Sequence, residues 1–121
     1  MIFNIKKIDL KSIVEYLIII TIMTIYSFYI IMCKDENIKD NYIGHTINLN
    51  DRLREHKCAT TNTNDLCYNS KIYKTIRENG GFEENWEMEE LFTYECDFTE
   101  ARKIEQELID EYQPTLNTYR A

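Results

Sequence analysis

This 121-residue chain has no long run of lysine or arginine, no Cys-x-x-Cys pair, no internal repeat and no low-complexity tract. The missing basic runs exclude the wide phosphate-gripping face of a protein that coats nucleic acid. The overall balance agrees, because 14 basic against 21 acidic residues leave a formal charge of −7, a sign that repels phosphate at long range. Any contact with nucleic acid is therefore local. Positive charge gathers mid-chain, at Arg52, Arg54, Lys57, Lys71, Lys74 and Arg77, while acids gather after Glu83, so a basic face, the candidate for any nucleic-acid contact, is expected on one side only. Without a Cys-x-x-Cys pair or a secretory signal of the usual layout, Cys33, Cys58, Cys67 and Cys96 read as reduced thiols of a cytosol-like compartment. A zinc set drawn from His56, Cys58, Cys67 and His45 matches no common ligand spacing. The length leaves room for one modest core and none for a separate DNA-reading domain.

What is present begins with an apolar run, Ile13 to Met32, whose only charge is Glu15. It is just long enough to span a bilayer. Tyr16, Thr21, Thr24, Tyr26, Ser27 and Tyr29 interrupt it, however, and Lys6, Lys7 and Lys11 ahead of it would keep the N-terminus in the cytoplasm and export the rest. Its last third, Phe28 to Cys33, is rich in β-formers and is expected to be a strand. That leaves residues 1–26 as an apolar, helical extension and 27–121 as the domain. Asn41 to Gly44 returns as the second strand of a hairpin. Asn48 and Asp51 cap a helix through Lys57, with Leu49 and Leu53 inward and Arg52 and His56 sharing a different face. Thr60 to Asp65 reads as a polar loop, and Asn69 to Asn79 as a helix stopped by Gly80-Gly81. The alternation of Trp86, Met88, Glu90, Phe92 and Tyr94 predicts a third strand. Asp97 or Thr99 opens a last helix with Ala101, Ile104, Leu108 and Tyr112 inward, and Pro114 ends it.

Six elements then fall in one order: Tyr29 in Ser27-Phe28-Tyr29, the tripeptide Tyr42-Ile43-Gly44, Arg52, His56 four later, Glu105, and Asn117 twelve after that. Any one of these is cheap, but the ordered set is not. From about Phe28 to Asn117 the chain resembles the GIY-YIG endonuclease family. The resemblance implies an α/β (α+β) domain in which helices flank a three-stranded antiparallel sheet. It also implies an endonuclease that hydrolyses DNA phosphodiester bonds, by nicking or double-strand cutting, with one divalent ion, Mg²⁺ or Mn²⁺. DNA is then the partner, a further protein supplies sequence or structure specificity, and the setting is cytoplasmic or nuclear. The alternatives are a catalytically weak nucleic-acid-binding or membrane-tethered interaction module on the same fold, anchored by residues 13–32. One departure stands out: where the family has Gly-Ile before the first tyrosine, this chain has Ser27-Phe28.

Phosphodiester hydrolysis needs a cation on the phosphate, a base for water and a partner for the charge that builds on oxygen. The resemblance assigns Glu105 to the metal and Asn117 to a structural task, and a single carboxylate plus waters suits Mg²⁺. Position on the helix alone would not single out Glu105, since Glu100, Glu107, Asp110 and Glu111 share that segment. Arg52 offers a planar fork for phosphate. His56 offers proton transfer near neutral pH. Tyr29 and Tyr42 are the candidate bases. A phenol pKa of about 10 must be lowered for that task, and Arg52 and His56 are the cations at hand. His45 is an auxiliary.

Overall fold

The apolar run does not remain one element. In a computed structural model, which describes residues 9–118, Leu10–Ile22 forms helix α1. Asp9 opens it by accepting from the Ser12 amide at 2.7 Å. Met23 is extended, and strand β1 follows at Thr24–Cys33. The strand starts four residues ahead of Phe28 because Tyr26 already lies in the core. Residues 13–32 therefore divide between a helix and a strand. The 13 residues of α1 rise about 20 Å, and no helix among the described residues is long and apolar enough to cross a membrane.

The remaining elements are β2 (Asn41–Thr46), α2 (Leu49–Thr61), α3 (Lys71–Glu78), α4 (Phe82–Asn85), β3 (Trp86–Cys96) and α5 (Phe98–Tyr112). The three strands pair antiparallel in the order β2-β1-β3, the sheet the resemblance implied. β1 lies in the middle and is covered on both faces. On one face Tyr29 and Ile31 pack with Ala59, Ile72, Tyr73, Ile76, Trp86 and Leu116. On the other, Tyr26 and Phe28 pack with Cys96 and Ala101, backed by Ile104 and Leu108 of α5.

Local chemistry sets the boundaries. Asn48 caps α2 by accepting from the Asp51 amide at 3.0 Å, and Asp97 caps α5 by accepting from Glu100 at 2.8 Å. α2 runs four residues past Lys57, so Thr60 is helical rather than part of a loop. Burial of Ala59 and Thr60 holds that last turn, and the Thr60 hydroxyl returns to the His56 carbonyl at 2.8 Å. Tyr112 is not inward but 46% exposed. The buried residue at that end is Leu116, which a left-handed turn at Gln113 (φ 48°) brings back to the sheet.

β3 departs from simple alternation. Phe28 pairs with Phe92 but Tyr29 pairs with Glu90, so Leu91 is an extra residue in a bulge. Its effect is to exchange faces. Trp86 and Met88 join the α2–α3 core, whereas Phe92 stacks on Phe28, with ring centroids 4.9 Å apart, on the α5 side.

The outer edge of β2 is closed by the returning tail. Asn117 acts as a one-residue strand: its Oδ1 accepts from the Ile43 amide at 3.0 Å and its Nδ2 donates to the Ile43 carbonyl at 2.9 Å. The Leu116 amide donates to the Asn41 carbonyl at 3.0 Å. Asn117→Ala strips both partners from Ile43. Chemical denaturation of the variant is expected to show a loss of about 2 kcal/mol, the value of two backbone-directed hydrogen bonds. A midpoint unchanged from wild type would remove this account of the asparagine.

Candidate active site

Tyr29 enters the site from the middle of the sheet, and its place there requires a glycine on β2. Tyr29 and Gly44 are cross-strand partners. A Cβ on Gly44 would strike the Tyr29 hydroxyl and ring, so the third residue of Tyr42-Ile43-Gly44 has no side chain because the first-strand phenol occupies that space. The Tyr29 ring is fully buried. Its hydroxyl meets His56 Nε2 at 2.8 Å and accepts from Arg52 Nε at 3.3 Å. His56 is buried too, and its Nδ1 lies 2.7 Å from the Tyr73 hydroxyl of α3. The ring of Tyr42 stands edge-on to His56, centroids 5.6 Å apart.

These surroundings overturn two expectations. Burial, and then the neighbouring Arg52 charge, push the His56 pKa down to about 3, so the imidazole is neutral at physiological pH and lends no positive charge to a phenol. The Tyr29 pKa goes up rather than down, because burial outweighs the opposing pull of Arg52. Tyr29 does not gain acidity from a pair of cations. Only Arg52 is charged, and its own pKa is raised despite burial, with Tyr29 and Glu55 holding the guanidinium.

Glu105 arrives from α5. Its Oε1 lies 2.7 Å from His45 Nδ1, with both side chains about 15% exposed or less. His45 is wedged in turn among Tyr26, Phe28 and Phe98, at centroid distances of 5.5, 5.9 and 6.1 Å. A packed ring therefore fixes the rotamer of the carboxylate, a closer role than an auxiliary residue would have. Oε2 has no partner among the described residues. Glu105 lines a cavity of about 120 Å³ together with Tyr42, Arg52, Lys71, Tyr73 and Asn117, room for several waters. Among the described residues no three His, Cys, Asp or Glu side chains gather as a metal group. All four cysteines are free, and each histidine of the supposed zinc set is engaged elsewhere. Among the described residues Glu105 is the one carboxylate that lines this cavity.

The six basic residues do not form one free face. Arg52 opens on the cavity and pairs with Glu55 at 2.8 Å. Lys71 also lines the cavity, its Nζ donating to the Thr115 carbonyl at 2.8 Å. Arg54 pairs with Asp51, and Lys57 with Glu83 at 2.9 Å. Arg77 donates to the Thr60 carbonyl at 3.0 Å and stacks over Tyr68 at 3.6 Å, so it holds the loop after α2. Lys74 is exposed on α3. Tyr73 was not among the residues expected at the site. Its sole signal was a polar tip on an inward position of α3.

Comparison with known proteins adds one match. Residues 25–120 fit the family model of the GIY-YIG catalytic domain. No curated protein and no solved structure matches significantly.

Proposed function

Because the chain belongs to the GIY-YIG family, a nuclease family that acts on DNA, we propose that it is a divalent-metal-dependent endonuclease hydrolysing DNA phosphodiester bonds. One observation carries this reading: Tyr42, Arg52, Glu105 and Asn117, far apart in sequence, line a single cavity. Arg52 binds the scissile phosphate and meets the charge that builds on its oxygens. Glu105 would hold the ion, since its Oε2 has no protein partner among the described residues. Mg²⁺ fits that donor set, since it keeps most of its waters and takes one or two carboxylates. When bound, such an ion withdraws charge from phosphoryl oxygens and acidifies water. Tyr42, on the cavity wall, orients the attacking water, a task for which the buried Tyr29 hydroxyl is less accessible. Tyr29 instead anchors Arg52 and His56 from below. Lys71 contributes positive charge at the cavity mouth.

The test is conversion of supercoiled plasmid to nicked or linear form by the full chain, with Mg²⁺, with Mn²⁺ and with chelator alone. Cleavage that requires the ion is the expected result. Intact plasmid under every condition, from a chain whose fold is verified by circular dichroism, would exclude the reading.

A further inference from the structure

Counting the protons in the buried Tyr29–His56–Tyr73 chain gives Tyr73 a task beyond packing. Tyr29 is fully buried, and its hydroxyl oxygen meets only Arg52 Nε and His56 Nε2 among the described residues. Arginine only donates. The Tyr29 O–H needs an acceptor in that dry place, and His56 Nε2 at 2.8 Å is the one within reach. A neutral imidazole carries a single N–H. With Nε2 accepting, the hydrogen sits on Nδ1, which donates to the Tyr73 oxygen at 2.7 Å. Neutrality follows from complete burial beside the Arg52 charge; together these push the pKa of this ring down to about 3.

The Tyr73 oxygen is therefore an acceptor toward His56, and its own hydrogen has no partner within the described protein. Tyr73 lines the same cavity as Arg52, Tyr42 and Glu105. A hydroxyl that accepts from one side becomes a stronger donor on the other. Resting on the nuclease reading for the identity of the ligand, we propose that Tyr73 donates its O–H to a non-bridging oxygen of the phosphodiester held by Arg52. The cavity then offers the phosphate a neutral donor from α3 as well as the charged fork from α2. Such a donor acts mainly where charge develops, in the transition state.

The proton arrangement is read first in ¹⁵N-labelled full-length protein without DNA, where couplings to the His56 ring protons distinguish the two nitrogens. A protonated Nδ1 and a bare Nε2 are expected. A proton on Nε2 overturns the assignment, because Tyr73 would then spend its hydrogen on His56. The second arm is Mg²⁺-dependent plasmid nicking by Tyr73→Phe, which removes only the hydroxyl. The expected result is a fall in kcat of about a hundredfold, with KM for DNA within a few-fold of wild type and His56 still protonated on Nδ1. A variant as fast as wild type, or one whose loss lies in KM alone, overturns the proposal. Should the variant unfold, the tautomer decides alone. A wild-type chain that cuts nothing overturns the nuclease reading, and with it phosphate as the acceptor of Tyr73. A cutting wild type beside an equal Tyr73→Phe overturns the Tyr73 assignment and leaves the nuclease reading intact.

Discussion

Glu105→Gln is expected to lower Mg²⁺-dependent nicking by on the order of 10³-fold or more, about 4 kcal/mol of transition-state stabilisation, with DNA binding and thermal stability near wild type. The substitution keeps size and shape, and the amide oxygen can still take the contact with His45 Nδ1, which is 2.7 Å from Oε1 in the native protein. What disappears is the negative charge that would hold a hard cation. Glu107 and Glu111 are the controls. They sit on the same helix but are exposed and lie outside the cavity wall, so Glu107→Gln should cut at the wild-type rate. Equal losses for Glu105→Gln and Glu107→Gln, measured in single-turnover assays, would mean that general acidity of α5 matters and the site does not.

Arg52→Ala is expected to slow the chemical step by about 10²- to 10³-fold. Among the described residues the guanidinium is the one cationic group that both lines the cavity and bonds the buried Tyr29 hydroxyl, at 3.3 Å. Arg52→Lys should recover only part of the rate, because an ammonium restores the charge without the planar fork. Glu55→Ala separates the part of the loss that belongs to the Glu55 contact. That pair is exposed, 35% and 62% at its two side chains, and exposed pairs contribute little. If Glu55→Ala slows cleavage as much as Arg52→Ala, Arg52 serves the helix and not the phosphate.

The sequence made legible whatever depends on residue identity in a fixed order. Tyr42, Arg52, Glu105 and Asn117 could be named from the chain, and they line one cavity. The sheet was legible because β1 is rich in β-formers and β3 alternates in sequence. What escaped is tertiary. His56 was expected to act as a cation, and only its complete burial shows it to be neutral. Tyr73 follows the same periodicity as Ile72 and Ile76, so nothing in a linear pattern indicates that its hydroxyl ends 2.7 Å from a histidine seventeen positions away. The bulge at Leu91 was hidden for a similar reason, since period-two alternation continues through it in sequence while the faces exchange in space. His45 could be placed on β2 but not opposite Glu105, because that contact joins residues sixty apart.

The open side of the sheet has a consequence for how the protein behaves in concentrated solution. Asn117 closes the margin at β2; among the described residues β3, 11 residues long, is the other margin and pairs with no further strand, and such a strand is a template for strand addition by another molecule. Glu87, Glu89, Glu90 and Glu95 all project from it, exposed. Two molecules meeting margin to margin would bring these carboxylates together. The bulge at Leu91 adds a twist that spoils a straight match. The acidic excess, a poor match for phosphate, is thus gathered in part on the strand that most needs to repel its own kind, on the opposite side of β1 from the strand that carries Tyr42.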